Sequence, residues 1–455
     1  MTILDGQIAQ CRKELWRRPP GDPGRGTALF KLAVSLKDRF NMTNDIGDLE
    51  GAIWFHRTAL ALRPEGHPDR HKSLYSLAWC LCERHRKQGT LPDLDEAFLL
   101  HQSALDLRPE GHPDRSNSLH DLSACFSFRS DKQGSVADLE EAITLSRAAL
   151  ELRSPGHPHR AENLFNLGLN LRNRFLKLGV ITDLDEALSF HRSALDLRPE
   201  GHPDRSRSLH TLATCFSFRY DKQNSVADLE EAITLGRAAL KLHPPGHSHR
   251  ALALNDLGND LIKRFLQLGA SADLDEGFLL LRSALDLRPE AHPDRSDSLH
   301  NLAVCFDHRY DKQGSVADLE EAIRLSRAAL KLLSPDHPNH ARTLNNFGCY
   351  LRSRFLKLGV IADLDEALSF HRSALDLRPE GHSDRSDSLD ALAFCLADWF
   401  HRQAPGITFS QAALEFYYLG HADPAKTFWG LGYYLGARFL KVGANADLDD
   451  AISFH

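Results

Sequence analysis

Histidines, cysteines and acids recur through this sequence at spacings that invite a metal or a catalytic reading. The tightest histidine group is His243, His247 and His249, set around Pro244-Pro245-Gly246. No cysteine or acid is interleaved, so a zinc ligand set is incomplete there. His67, His112, His157, His202, His247, His292, His337 and His382 instead return once every 45 residues, beside or near proline. One ligand per repeat is no cluster, and a capping and packing role at helix starts is expected. Cys80, Cys125, Cys215, Cys305 and Cys395 share one place in their repeats, where a thiol acts as a small buried apolar group. Cysteines one or two units apart are expected to lie too far for the ~4.4–6.8 Å Cα separation of a disulfide. Cys80 and Cys82 point to different helix sides, and no Cys–His pair stands out from the periodic background.

Other candidates meet the same objection. Asp-Leu-Asp-Glu looks like paired catalytic carboxylates, but its return in nearly every unit points to helix capping. Arg39, Arg84, Arg129, Arg174, Arg219, Arg264, Arg309 and Arg354 also recur once per unit. They are expected to serve helix C-termini and to pair with the following Asp; a phosphate-binding ladder is the alternative. Gly430-x-Gly432-x3-Gly436 misses the dinucleotide fingerprint and sits on a predicted helix. No catalytic, cofactor-binding or metal-binding residue is therefore expected.

The elements that carry these residues are legible from the period. Asp-Leu-x-x-Ala starts at Asp48, Asp93, Asp138, Asp183, Asp228, Asp273 (where Gly277 stands for the alanine), Asp318 and Asp363, every step being 45 residues. Residues 1–362 form eight regular repeats, 363–401 a shortened ninth, 402–446 a degenerate aromatic-rich tenth and 447–455 the start of an eleventh. Each repeat reads as two helices. Leu139, Ala142, Ile143, Ala149 and Leu150 make one apolar stripe, and Leu164, Leu167, Leu171 and Phe175 make the next. Asp138 with Glu141 suggests a capping box, Ser154-Pro155-Gly156 a break, His157-Pro158 the next helix entry and Gly179 its end. Small residues recur at helix contacts, as in Ala33, Ala78, Ser123, Gly168, Ala213, Gly258, Ala303, Gly348 and Ala393. No segment alternates with period two, so the chain is expected to be all-α, its pairs stacked into one continuous core.

Leu164-x2-Leu167-Gly168-x2-Leu171 and Ala97-x6-Ala104-x4-Pro109 resemble the two halves of the tetratricopeptide repeat, lengthened from ~34 residues. Leu344-Asn345-Asn346-Phe347-Gly348 after Asp336-His337-Pro338 looks like the kinesin-light-chain type. The 45-residue form resembles fungal arrays that often precede a caspase-like CHAT domain. The resemblance implies a right-handed α-solenoid, a superhelix of antiparallel helix pairs, that binds protein along a concave groove.

Differences between copies point to that groove. Residues 183–206 and 363–386 differ only at Pro203 versus Ser383. Changes concentrate instead at Asn117/Arg207/Asp297/Asp387, at Asp121/Thr211/Asn301 and beside His120, His210 and His300. The other half-unit carries Asn166, Asn255, Asp256, Asn345 and Asn346. By the resemblance these residues line the groove, where amides pair with a peptide backbone in either sense. The alternative is that exposed positions simply drift.

Composition narrows the class of partner. The chain has 455 residues and a net charge of −7, which supplies no basic field for nucleic acid or anionic lipid. No apolar run approaches the ~18 residues of a membrane span. A cytoplasmic protein-binding scaffold with no cofactor and no catalysis of its own is expected. A regulatory arm of a longer fungal receptor or CHAT-type protease, and a self-associating array, are the alternatives. The array breaks off uncapped at His455, so a continuing polypeptide is expected, with Phe416, Tyr417, Tyr418, Phe428, Trp429, Tyr433 and Tyr434 as either an interface to it or the bulky core of a decayed repeat.

Overall fold

The 45-residue period resolves into a longer and a shorter helix joined by two turns of fixed chemistry. The computed structural model describes residues 2–382 and 384–403, which leaves the aromatic cluster, the tenth repeat and the eleventh outside the described residues. The chain forms two units, Met1–Asp228 and Leu229–His455. In the first, α1 (Thr2–Trp16) precedes the first helices α2 (Arg25–Thr43), α4 (Arg70–Gln88), α6 (Arg115–Gln133), α8 (Arg160–Leu178) and α10 (Arg205–Gln223). Second helices α3 (Ile46–Ala61), α5 (Leu91–Asp106), α7 (Val136–Glu151) and α9 (Ile181–Asp196) alternate with them. After α11 (Val226–Lys241), the second unit has first helices α12 (Arg250–Leu268), α14 (Arg295–Gln313), α16 (His340–Leu358) and α18 (Arg385–Gln403). Its second helices are α13 (Ser271–Asp286), α15 (Val316–Leu332) and α17 (Ile361–Asp376). No strand occurs among the described residues, and the fold is an all-α repeat solenoid.

First helices stop where the backbone turns left-handed. Gly134, Gly179 and Gly314 take φ of 73°, 71° and 69° and donate their N–H to the carbonyl four residues back. Asn44 and Asn224 replace glycine at φ 57° and 55°, the next-best residue for that region.

The capping box is a correction. α7 begins at Val136 with Ser135 as its cap, whose Oγ accepts the Asp138 N–H at 3.2 Å. Asp138 is therefore the third helical residue. Its buried carboxylate accepts a fork from Arg129, with Nε at 2.8 Å and Nη2 at 2.7 Å. The same fork joins Arg39 to Asp48, Arg84 to Asp93, Arg174 to Asp183, Arg219 to Asp228, Arg264 to Asp273 and Arg354 to Asp363. Arg309 reaches Asp318 at 3.2 Å. An anion there meets both the positive helix start and a bidentate donor, and Arg84 and Arg129 hold the carboxyls of Asp93 and Asp138 below their ordinary range. These arginines are engaged by aspartates, so the geometry gives the phosphate ladder no support.

Pro158 also lies before its helix, not in the first turn, because α8 starts at Arg160. The adjacent His157 closes the turn: its Nδ1 accepts the His159 N–H at 3.2 Å. His67, His112, His202, His247, His292, His337 and His382 do the same two residues on, at 3.0–3.2 Å.

Inside each pair, size on one helix is matched on the other. Gly168 on α8 faces the fully buried His191 on α9, and a Cβ added there would stand 2.7 Å from the ring. Gly348 faces His371 in the same way, and Gly258 faces Leu281. Ser123 meets Ser146, hydroxyl to hydroxyl at 2.6 Å. The small-residue series of the sequence thus makes room for a large partner in the second helix. Gly168→Ala is expected to force the His191 ring aside and to cost about 1–3 kcal/mol, read as a lower denaturant midpoint for the first unit.

Candidate functional site: the first-helix row

Within each unit the first helices lie beside one another, α2 on α4, α4 on α6 and α6 on α8, then α12 on α14, α14 on α16 and α16 on α18. Second helices are tied across the repeat by long exposed ion pairs, such as Arg147–Glu186 at 2.7 Å and Arg237–Glu276 at 2.6 Å. First helices touch through short polar side chains instead. Residues 42 to 47 apart meet there: Ser127 donates to Asn170 at 2.8 Å, and Arg352 forms an ion pair with Asp398 at 2.7 Å.

Many of the expected groove residues belong to this seam. His120 is buried, its Nδ1 3.3 Å from Asn163 Oδ1 and its Nε2 3.4 Å from the Asn166 amide. His300 is buried with Nδ1 3.1 Å from the Thr343 hydroxyl, and burial drives its pKa down to about 3. Asn117 accepts from Arg153 at 3.0 Å, and Asp297 accepts from Asn339 at 2.8 Å. Asn301 donates to the buried Asn255 at 3.1 Å, and Asn255 donates to Asp256 at 3.3 Å. Asn345 is buried too, its Oδ1 3.0 Å from His371 Nδ1, so its carbonyl faces the second helix of its own pair. Thr211 is buried. Asp121 is hydrogen-bonded to Tyr75, and Asn346 to Tyr350. Neighbouring first helices approach so closely that positions pointing sideways are taken by the next helix.

The outward remainder differs from one repeat to the next. Arg207 and Asp387 are exposed, and Asn117, Asp121, Asn166, His210, Asp256, Asp297, Asn301 and Asn346 are half-buried. Arg207 lies 4.5 Å over the Phe165 ring of α8. Beside it on the same helix, Ser208 is fully buried and accepts from Arg198 at 2.6 Å. Ser118, Ser298 and Ser388 do likewise with Arg108, Arg288 and Arg378. The invariant residue serves the core, and the residue preceding it changes from Asn117 to Arg207, Asp297 and Asp387.

Two features escape the sequence reading. Arg63, Arg108, Arg153, Arg198, Arg288 and Arg378 are only 1–3% exposed, although each precedes or lies near a Pro-Gly or Pro-Glu turn that looks like surface. Arg63, Arg108 and Arg198 stack on Phe30, Tyr75 and Phe165, whose rings also touch the buried His56, His101 and His191. The second lies among the cysteines. Cys82 and Cys125, one repeat apart, bring their sulfurs to 3.4 Å. Equivalent residues are 45 apart, but facing side chains of adjacent first helices are offset, here by 43, and that offset brings the thiols together. The hydrogen bond with Cys125, reinforced by His101, lowers the Cys82 pKa, while Cys125 moves up. Cys80, Cys215 and Cys305 are buried as expected, with thiols pushed up to about 12 by burial. His243 and His247 stack ring on ring at 4.3 Å.

Paired helices of 19 and mostly 16 residues, packed through small residues and joined side by side, define the class: an all-α repeat solenoid. The tetratricopeptide repeat family model matches residues 295–339, one full unit built on α14 and α15. Similar solved structures include the nearly identical TPR-like repeats of a kinesin-light-chain candidate from Podosopora anserina, 18% identical over 50% of this chain and 100% of that one, TM-score 0.35. BtubC from P. vanneervenii is 19% identical over 54% of this chain and 92% of its own, TM-score 0.35. The human IFIT1 dimer with PPP-AAAA is 13% identical over 99% and 93%, TM-score 0.37. No curated protein matches the sequence. At these scores none of the solved structures bears on what this chain binds. No described helix is long and apolar enough to cross a membrane.

Proposed function

We propose that the chain is a protein-recognition scaffold that holds an extended segment of a partner along the first-helix row and performs no catalysis of its own. The observation that carries this reading is the contrast within one helix turn. Ser118, Ser208, Ser298 and Ser388 are buried and unchanged, while the preceding, more exposed residue is neutral, basic, acidic and acidic in turn. A row whose framework is copied and whose exposed charges are not can discriminate along a ligand.

The test selects extended peptides from a displayed library on the full-length chain and measures Kd for the selected sequences. Arg207→Asp and Asp387→Arg are each expected to weaken binding of some selected peptides at least tenfold, about 1.4 kcal/mol. Thr144→Ala on the exposed side of α7 should leave Kd unchanged. Equal affinity across all three variants and the unsubstituted chain, with unaltered melting, removes the row as the binding site. Asn345→Ala is unsuitable, because its contact with His371 makes it a packing residue as well.

A further inference from the structure

Cys82 on α4, His101 on α5 and Cys125 on α6 come from three consecutive helices, and their ligand atoms all lie within 4.8 Å of one another. His101 and Cys125 are each 1% exposed, and the cysteines are free thiols. We propose that these three residues bind a zinc-class divalent ion, which clips two successive helix pairs together. With Zn–S bonds of ~2.3 Å in tetrahedral geometry, two ligating sulfurs stand roughly 3.8 Å apart. The observed 3.4 Å needs an outward adjustment of a few tenths of an ångström. A disulfide would need the same sulfurs to close to ~2.0 Å, a much larger movement between two packed helices.

The surroundings suit a cation. Asp121 lies one turn before Cys125 on α6, close enough to act electrostatically on both thiols, and its Oδ2 is buried with no hydrogen-bond partner. It supplies negative charge in the outer sphere of the site. Tyr75 sets its ring edge-on to His101 at a centroid distance of 5.6 Å, which helps to fix the imidazole plane. His101 Nδ1 is itself buried without a partner.

The framework does not require this trio. Positions equivalent to Cys82 hold Lys37, Ser127, Arg172, Ser217 and Ile262, so although the slot of His101 is histidine again at His56, His191 and His371, no cysteine faces those rings from that position. Cysteine, histidine and cysteine coincide at one level of the array alone. Three thiolate and imidazole ligands are the soft set that selects zinc over calcium or magnesium.

The experiment titrates the reduced full-length chain with Co2+ and then displaces it with Zn2+. The expected result is a thiolate-to-cobalt charge-transfer absorption that saturates at one ion per chain and disappears on adding zinc. Cys82→Ser and Cys125→Ser should abolish it, and Cys80→Ala should leave it intact. His101→Leu should weaken cobalt binding at least tenfold without unfolding the unit, since Leu281 occupies the equivalent slot. Zinc should also raise the melting temperature of the wild-type chain and not of the two serine variants. No charge-transfer absorption in the folded reduced chain, or absorption that survives either serine substitution, overturns the site.

Discussion

Acidifying the protein from about pH 7.5 to about pH 5 should weaken its first unit by about 2 kcal/mol for each of two histidines. His56 and His191 are fully buried, both nitrogens of each lack a hydrogen-bond partner, and burial lowers both pKa values to about 3. Above the unfolded value of ~6.5 both states are neutral and nothing is lost. Below it the unfolded chain takes up a proton that the folded chain refuses, so stability falls with pH until the folded value is reached. Leu281 fills the same slot without exposure, which makes leucine the natural control. His56→Leu with His191→Leu should remove about 4 kcal/mol of the acid loss, measured as the change in unfolding free energy between the two pH values. An acid slope identical in both proteins would show that these imidazoles are protonated or solvated in the fold.

Arg288→Ala should cost about 3–5 kcal/mol, among the largest single losses the second unit offers. The Arg288 side chain is 1% exposed; its Nη1 donates to the buried Ser298 hydroxyl at 2.7 Å and to the Asp294 carbonyl at 2.9 Å. Truncation leaves a cavity and two polar groups without their donor. The chain contains its own remedy one repeat on. Leu333 replaces the arginine there, and Thr343 replaces the serine and donates its hydroxyl to the Asn339 carbonyl, the counterpart of Asp294. Arg288→Leu with Ser298→Thr should therefore recover at least half of the loss in a denaturant titration. Equal instability of Arg288→Ala and the double variant would show that the arginine does more than fill space and satisfy that carbonyl.

What the sequence reveals is governed by where each contact lies. Contacts inside a helix or a pair repeat every 45 residues, so Leu139, Ala142, Gly168 and the left-handed Gly179 are legible in one dimension. The Arg129–Asp138 fork is also short-range and was within reach as an expected mate. The capping box fails because an aspartate at the third helical position has the same composition signature as one at the cap. The buried arginines are hidden by their setting, since Leu-Arg-Pro beside glycine looks like solvent-facing turn. Contacts between repeats are least legible. Their offsets of 42 to 47 depend on how one pair rotates against the next, which the period itself does not contain. That is why Cys82 meets Cys125, why His120 meets Asn163 and why half of the expected groove residues turn out to join helices.

The same distinction sharpens the functional reading. Residues such as His300 and Asn255 vary between copies together with partners on the neighbouring helix, so their variation records packing. Asp387 stands exposed, and Arg207 is exposed as well while its guanidinium stacks on Phe165 of the neighbouring helix. Recognition, in this account, rests on such outward positions held in register by a stiff seam of buried polar contacts.

The most direct test of that account is amide hydrogen exchange on the full-length chain with and without a selected peptide at saturating concentration. Protection is expected along the first helices, with α8, α10, α14 and α16 slowed and the exposed faces of α7, α9, α13 and α15 unchanged. Protection confined to the second helices, or to the turns that join repeats, would contradict a binding role for the first-helix row.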